Sequence, residues 1–227
     1  MKGEERKLRQ AIIDKCRFMN AAGLNQGTSG NISARYQDVM LITPSATPYD
    51  ILKPEMIAAM PIAGEYGSWS GPLKPSVEWR FHLDILRRRQ DVGGIVHTHS
   101  TFATVLSIAR RDIPACHYMI AAFGGNSVRC AEYARYGTKE LSENALAAMQ
   151  GRQACLLANH GMIAAGGTLE RAMWLAVELE TLARQYCHAL QVGGMVLLSD
   201  KEIDGVVKGF ASYGAQDRAK PASRKSR

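Results

Sequence analysis

Two histidines separated by one residue follow a short apolar run. Ile95 and Val96 precede His97-Thr98-His99, and a β-branched run of this kind predicts a buried strand. Because side chains at positions i and i+2 of a strand point to the same face, His97 and His99 are expected to project together. Neutral imidazoles held side by side bind zinc and similar divalent metals, but two ligands do not complete a site. The pair alone is also compatible with two structural histidines.

Further candidate ligands stand elsewhere in the chain. His160 follows a second apolar run, Ala154–Ala158. Glu78 falls in the first turn of a helix predicted to open with Ser76 as its N-cap, and His82 lies one turn later on the same face. A carboxylate at a helix start and a histidine one turn on can both be structural. Three imidazoles and one carboxylate would nevertheless complete a shell for a catalytic divalent metal, provided that they converge.

The elements expected to position these residues are short strands interleaved with helices. Pro61 indicates that its strand lies at a sheet edge, since proline cannot donate to a neighbouring strand. Helices are predicted over 5–22, 76–89, 100–109, 138–149, 169–190 (with Thr168 as N-cap) and 200–210, and strands over 39–43, 56–62, 94–99, 154–158 and 162–165.

A loop of small polar residues joins the first helix to the next strand. It contains Thr28, Gly30 and Asn31, whose backbone and side-chain donors could cradle a phosphate. The loop lacks the Gly-Lys-Ser/Thr of a P-loop and the glycine spacing of a dinucleotide fingerprint. An ordinary turn is the alternative interpretation.

The charge of the chain is concentrated at its end. Of the formal net charge of +7, five units fall in residues 218–227, which contain no acid. The sequence therefore predicts a domain over residues 1–215, followed by a basic, disordered tail over 216–227. A nearly neutral body argues against a nucleic-acid-binding face.

Cysteine usage and hydropathy place the chain in a cellular context. Five scattered cysteines without a CxxC pair are typical of reduced thiols, and they favour a cytoplasmic location. No signal-peptide pattern and no apolar run near 18 residues occur, so neither secretion nor a membrane span is expected.

Several segments in a fixed order resemble the class II aldolase/adducin superfamily, in its L-fuculose-1-phosphate aldolase type. The resemblance runs from about Leu8 to Tyr213, nearly the whole chain. The segments are 23–31 (GLNQGTSGN), 76–82 (SVEWRFH), 96–99 (VHTH), 117–122 (HYMIAA) and 159–161 (NHG). The fold this implies is a single α/β domain whose central, mainly antiparallel β-sheet is flanked by helices.

The resemblance also implies an activity and a set of roles. The activity is zinc-dependent cleavage of a ketose 1-phosphate, such as L-fuculose 1-phosphate or a 5-deoxypentulose 1-phosphate, to dihydroxyacetone phosphate and an aldehyde such as lactaldehyde. One Zn²⁺ per subunit would be held by His97, His99, His160 and Glu78, and Glu78 would also act as the acid/base at the carbanion carbon. In a homotetramer, Tyr118 would reach a neighbouring subunit's site and Tyr213 would close over it.

The phosphate site departs from the family's pattern at two positions. Ser45-Ala46 stands where the family has Thr-Gly, and Val77 replaces a serine before the glutamate. Ala46 adds a methyl group and Val77 removes a hydroxyl donor, so an altered phosphate geometry is expected. The full set expected to surround the phosphate is Thr28, Gly30, Asn31, Ser45, Ala46, Ser76 and Val77.

Three alternatives to the aldolase remain open at the level of sequence. An L-ribulose-5-phosphate 4-epimerase would use similar zinc histidines, but its family has aspartate where this chain has Glu78. A sugar-acid phosphate decarboxylase belongs to the same superfamily. A non-catalytic interaction domain like the adducin head would be expected to have a broken metal set, whereas all four candidate ligands are present here.

Overall fold

A seven-stranded sheet forms the centre of the protein in the computed structural model, which describes residues 3–210. The strand order is β3-β2-β1-β4-β7-β6-β5, and every neighbouring pair is antiparallel except β5 and β6. The strands are β1 Asn31–Tyr36, β2 Val39–Ile42, β3 Ala58–Pro61, β4 Gly94–Thr98, β5 Cys130–Ala131, β6 Ala154–Leu157 and β7 Gly161–Gly166. The predicted α/β class with a mainly antiparallel sheet is confirmed.

Helices cover both faces of this sheet and give it two apolar cores. The α-helices are α1 Gly3–Ala21, α2 Trp79–Arg88, α3 Thr101–Ile108, α4 Lys139–Ala148, α5 Leu169–Gln191 and α6 Asp200–Phe210. Side chains alternate along β4, so that Ile95 packs with α2 and α4 while Val96 packs with α1, α3 and α5. His97 therefore faces the layer that contains α2. None of the helices in this part of the chain is long and apolar enough to cross a membrane.

Most element boundaries predicted from the sequence are confirmed, with instructive exceptions. Thr138 and Thr168 cap their helices through side-chain oxygens, and Pro61 lies on the edge strand β3. Ser76 is not an N-cap: α2 begins at Trp79, and Glu78 occupies the capping position without a side-chain capping bond. A 3₁₀-helix, Tyr118–Phe123, lies in the connection between α3 and β5.

The proposed boundary at residue 215, the basic tail over 216–227 and Tyr213 all lie outside the described residues. These three expectations therefore stay predictions.

A buried carboxylate holds the start of α3, which directly follows the His97-Thr98-His99 segment. Glu180, on α5, accepts hydrogen bonds from the backbone N–H groups of Phe102 and Ala103, at 2.8 and 2.9 Å. Ser100 occupies the N-cap position but makes no capping bond through its side chain. The carboxylate thus satisfies two N–H groups that a helix start leaves without intrahelical partners, and it suits the helix dipole. The sequence places Glu180 within the helix predicted over 169–190, but it does not show which distant N–H groups need an acceptor.

We predict that Glu180→Ala lowers the free energy of unfolding by about 1–3 kcal/mol, because two buried donors lose their acceptor. Urea unfolding followed by circular dichroism measures this change. Glu178→Ala, at a half-buried position on the same helix, is the control and should stay within about 0.5 kcal/mol of the parent protein. Equal effects of the two substitutions would contradict the capping role.

Candidate active site

Two neighbouring antiparallel strands bring the histidines together. His97 on β4 pairs with Ile163 on β7, and His160 stands in the short turn that joins β6 to β7. Asn159 in that turn has a φ of 55°, a left-handed conformation that asparagine tolerates. A Cβ at Gly161 would approach the Thr98 carbonyl oxygen to 2.4 Å, so only glycine allows β7 to start this close to β4.

The four predicted ligands converge on one point. His97 Nε2 lies 3.1 Å from His99 Nε2 and 3.2 Å from Glu78 Oε2, and His160 Nε2 lies 3.2 Å from Glu78 Oε1. The ligand atoms of the four residues all lie within 4.8 Å of one another. Ligands about 2.0–2.1 Å from a tetrahedral zinc would be roughly 3.3–3.4 Å apart. The spacing therefore fits a small divalent cation held by three nitrogens and one oxygen.

The imidazoles are prepared to accept a metal. The Nδ1–H of His97 donates to the carbonyl oxygen of Met162 at 2.9 Å, which leaves the lone pair of Nε2 pointing into the cluster. Burial lowers the pKa of His99 to about 4, with help from the neighbouring His97 and His160, so its ring is neutral at pH 7. A neutral ring is the form that binds metals.

Glu78 supplies a buried carboxylate with one oxygen left over. Burial opposes its ionisation, but the adjacent His97 and His160 outweigh burial and hold the pKa of Glu78 below its usual range. Oε2 accepts a hydrogen bond from the Asn31 side-chain amide at 2.9 Å. Oε1 is buried and accepts no hydrogen bond from the described residues. A buried carboxylate oxygen without a hydrogen bond needs another partner, and a metal ion held by the neighbouring imidazoles would supply one.

A second polar chain lies behind Glu78. His82 is fully buried, and its two ring nitrogens lie 2.8 Å from Ser33 Oγ and 2.6 Å from Asn31 Oδ1. Burial, together with the nearby His97, lowers the pKa of His82 to about 3, so this ring is neutral as well. The sequence is compatible with a purely structural role for His82. Its spacing of four residues from Glu78 is the signal that places both side chains on one face of the helix.

A cavity of about 410 Å³ opens beside the candidate metal ligands. Glu78, His99 and His160 line it on one side. It is also lined by every residue expected around the phosphate: Thr28, Gly30, Asn31, Ser45, Ala46, Ser76 and Val77. The structure therefore brings both predicted groups of residues to one cavity.

The cavity offers polar groups but no formal positive charge of its own. No lysine or arginine in residues 3–210 lines it, so an anion there would depend on hydroxyls and backbone N–H groups. Ala46 has a φ of 48°, a left-handed conformation that strains any residue with a Cβ. Alanine at position 46, where the family has glycine, therefore destabilises the local backbone. Val77 lines the cavity with an apolar side chain that is largely exposed.

Three tyrosines of the described chain differ in their position relative to the cavity. Tyr118 is half exposed in its 3₁₀-helix and is not among the residues that line the cavity of its own chain. Tyr133 and Tyr136 do line it, and both are more than half exposed. Sequence analysis missed this pair because two tyrosines three residues apart in a loop carry no motif. Their position before Gly137 and α4 indicates a surface loop. It does not indicate which cavity this loop borders.

Comparisons with known proteins identify the family of this chain. Residues 10–187 match the family model described as Class II Aldolase and Adducin N-terminal domain. A Rhodospirillum rubrum 5-methylthioribulose-1-phosphate/5-deoxyribulose-1-phosphate aldolase is 51% identical over 94% of this chain and 96% of its own length. The L-fuculose phosphate aldolase of Escherichia coli K12 is 49% identical over 93% of this chain and 97% of its own.

The fold agrees in the same way. A solved structure of an L-fuculose 1-phosphate aldolase superposes with a TM-score of 0.86 at 40% identity, covering 90% of this chain and 96% of that one. The chain therefore belongs to the class II aldolase and adducin N-terminal domain family, and the resemblance drawn from its motifs is confirmed.

We predict that purified protein binds one zinc ion per chain. His99→Ala should weaken zinc binding by more than about 100-fold, because it removes a ligand itself, whereas loss of a residue that only hydrogen-bonds a ligand costs about 10–100-fold. Competition with a chromophoric chelator measures the affinity. His188→Ala is the control, since this exposed histidine lies in the last turn of α5, away from the cluster. Equal zinc affinity in His99→Ala and the parent protein would refute the assignment.

Proposed function

We propose that the protein is a zinc-dependent class II aldolase, a carbon–carbon lyase that cleaves a ketose 1-phosphate to dihydroxyacetone phosphate and an aldehyde. The observation that carries the proposal is the convergence of Glu78, His97, His99 and His160 beside a cavity whose other lining residues suit a phosphate. Family membership and the names of the relatives support the same activity.

The chain's residues would divide the work of bond cleavage. A proton leaves the C4 hydroxyl, the C3–C4 bond breaks to give the aldehyde, and the electron pair remains at C3 until a proton arrives there. A bound zinc ion would supply Lewis-acid stabilisation of negative charge on substrate oxygens, so that no lysine Schiff base is required. Glu78 would move the proton at C3, and Tyr118 of a neighbouring subunit would take the proton at the C4 oxygen.

The phosphate would bind at the opposite side of the cavity. A Cβ at Gly30 would lie 2.7 Å from the His97 carbonyl oxygen, so only glycine lets the loop pack this closely against β4. Gly30 itself lines the cavity. Thr28, Ser45 and Ser76 would add hydroxyl donors, with Asn31, Ala46 and Val77 completing the wall. Binding by neutral donors suits a phosphate that must also leave as product.

The ketose would be L-fuculose 1-phosphate or a related 5-deoxypentulose 1-phosphate. The relatives named for these two kinds of substrate are about equally similar to this chain, at 49% and 51% identity. Both kinds of sugar end in a methyl group, which lactaldehyde retains, and Tyr133 and Tyr136 offer an aromatic border to such a group.

The working unit would be a cytoplasmic homotetramer whose sites lie between subunits. The exposed position of Tyr118, outside the cavity of its own chain, supports a role in a neighbour's site. Tyr213, beyond the described residues, would close over the site by family resemblance. A complete ligand set argues against an interaction domain like the adducin head.

The substrate is tested by coupled detection of dihydroxyacetone phosphate. The panel is L-fuculose 1-phosphate, 5-deoxyribulose 1-phosphate, 5-methylthioribulose 1-phosphate and L-ribulose 5-phosphate, each with and without chelator. We predict release from at least one 1-phosphate, abolished by chelator and restored by zinc. Conversion of the 5-phosphate alone would identify an epimerase instead, and release that is insensitive to chelator would exclude a metal-dependent aldolase.

The role of Tyr118 between subunits is tested by complementation. We expect Tyr118→Phe to slow cleavage while zinc content stays unchanged, and Glu78→Gln to lose most turnover. If the two residues act in one site from different subunits, mixed oligomers of the two variants contain some sites with both native residues. Activity of the mixture should then exceed that of either variant alone.

Matched mixing of each variant with itself is the control for reassembly. The oligomers must first be shown to exchange subunits. If the mixture is then no more active than either variant alone, both residues act in the same subunit's site or Tyr118 does not take part in cleavage.

A further inference from the structure

We infer that His82 is a positioning residue for the metal site: by fixing the orientation of the Asn31 side-chain amide, it holds the Glu78 carboxylate in the orientation that a metal requires. The structure shows an unbroken chain of buried hydrogen bonds from Ser33 through His82 and Asn31 to Glu78. The inference concerns the zinc site of the proposed function and not the identity of the ketose.

The direction of each hydrogen bond follows from the chemistry of its partners. The Asn31 NH₂ group must face Glu78, because a carboxylate oxygen accepts, and so Asn31 Oδ1 faces His82. That amide oxygen can only accept, so the proton of the neutral His82 ring is on Nε2. Nδ1 is then an acceptor and takes its hydrogen bond from the Ser33 hydroxyl. Every donor in the chain thus points towards the carboxylate.

This arrangement selects one of two orientations of the Asn31 amide. With the amide reversed, its oxygen would face the Glu78 carboxylate, which is repulsive, and its NH₂ group would face Nε2 of His82, which would then have to lose its proton to Nδ1. All four side chains are buried, with exposures of 0–5%, and water cannot easily supply substitutes. His82 therefore does more than fill space, since only a donor at its position satisfies Asn31 Oδ1.

The backbone explains why the four residues meet. Asn31 and Ser33 are two positions apart on β1 and point to one face, towards α2. Glu78 and His82 are four positions apart at the start of α2 and share its inner face. Asn31 also pairs directly with His97 on β4, so the chain of hydrogen bonds runs alongside the imidazoles.

The consequence for Glu78 is a division between its two oxygens. Oε2 is held by Asn31, and Oε1 is left without a hydrogen bond on the side of His160. Partners of this kind, which touch a ligand and not the metal, usually change metal affinity about 10–100-fold when removed. A residue that merely packed α2 on the sheet would affect stability without this effect.

The test compares zinc affinity and steady-state kinetics across four variants. His82→Phe keeps the ring shape but removes both hydrogen bonds, and it should weaken zinc binding about 10–100-fold and lower kcat more than it changes KM. His82→Gln carries an amide that can donate to Asn31 Oδ1, and it should recover most of the affinity. Ser33→Ala leaves the ring and its Nε2 donor in place, so its loss of zinc affinity should be measurable but smaller than that of His82→Phe.

Ser142→Ala is the matched control. It removes a hydrogen bond of 2.6 Å between Ser142 Oγ and Asp84 Oδ2, which anchors the same helix α2 at a point away from Glu78. Its zinc affinity should equal that of the parent protein, even if its unfolding free energy falls as in His82→Phe.

Several results would overturn the inference: parent-like zinc affinity in His82→Phe, equal losses in His82→Phe and Ser142→Ala, or no recovery in His82→Gln. If His82→Phe does not fold, an unchanged zinc affinity in Ser33→Ala is the contradicting result. Zinc binding is measured without substrate, so a failure of the substrate panel would refute the aldolase proposal and leave this comparison intact.

Discussion

The carboxylate of Glu78, buried against three imidazoles, is the interaction on which the site depends. Removing an ionised carboxylate from water is costly unless it gains hydrogen bonds and opposite charge. Asn31 satisfies Oε2, and Oε1 faces His160 without accepting a hydrogen bond from the described residues. The protein therefore holds a buried acceptor that a cation would complete, and a cation bound there would stabilise the fold.

The sheet makes this convergence possible because it controls both register and face. β4 delivers His97 to the face covered by α2, and the short β6–β7 turn delivers His160 to the end of the neighbouring strand. Glycine at position 161 allows β7 to start against β4, and Glu180 fixes the helix that follows His99. A shift of one residue in the β4–β7 register would turn His97 to the opposite core.

Much of this could be predicted from the sequence, for identifiable reasons. The His97/His99 pair obeyed strand alternation, and helix starts with a threonine cap were found because the capping bond is local. Local rules failed where the partner is distant: Ser76 suggested an earlier helix start, and the acceptor for the α3 N–H groups comes from α5. The hydrogen bonds of His82 could not be predicted for the same reason, since its partners Asn31 and Ser33 lie on β1, about fifty positions away.

The two sides of the cavity differ in how tightly the structure constrains them. The metal side is built from buried side chains linked by hydrogen bonds, so a change at Asn31 or His82 is felt at Glu78. Other lining residues, such as Val77 and Tyr136, are exposed, so a substitution there alters the shape of the cavity without breaking this network. Under the proposed function, the buried cluster would keep one bond-breaking chemistry while the exposed residues of the cavity accommodate different sugars. Relatives named for different ketose phosphates can then resemble the chain equally well, and overall identity does not select between them.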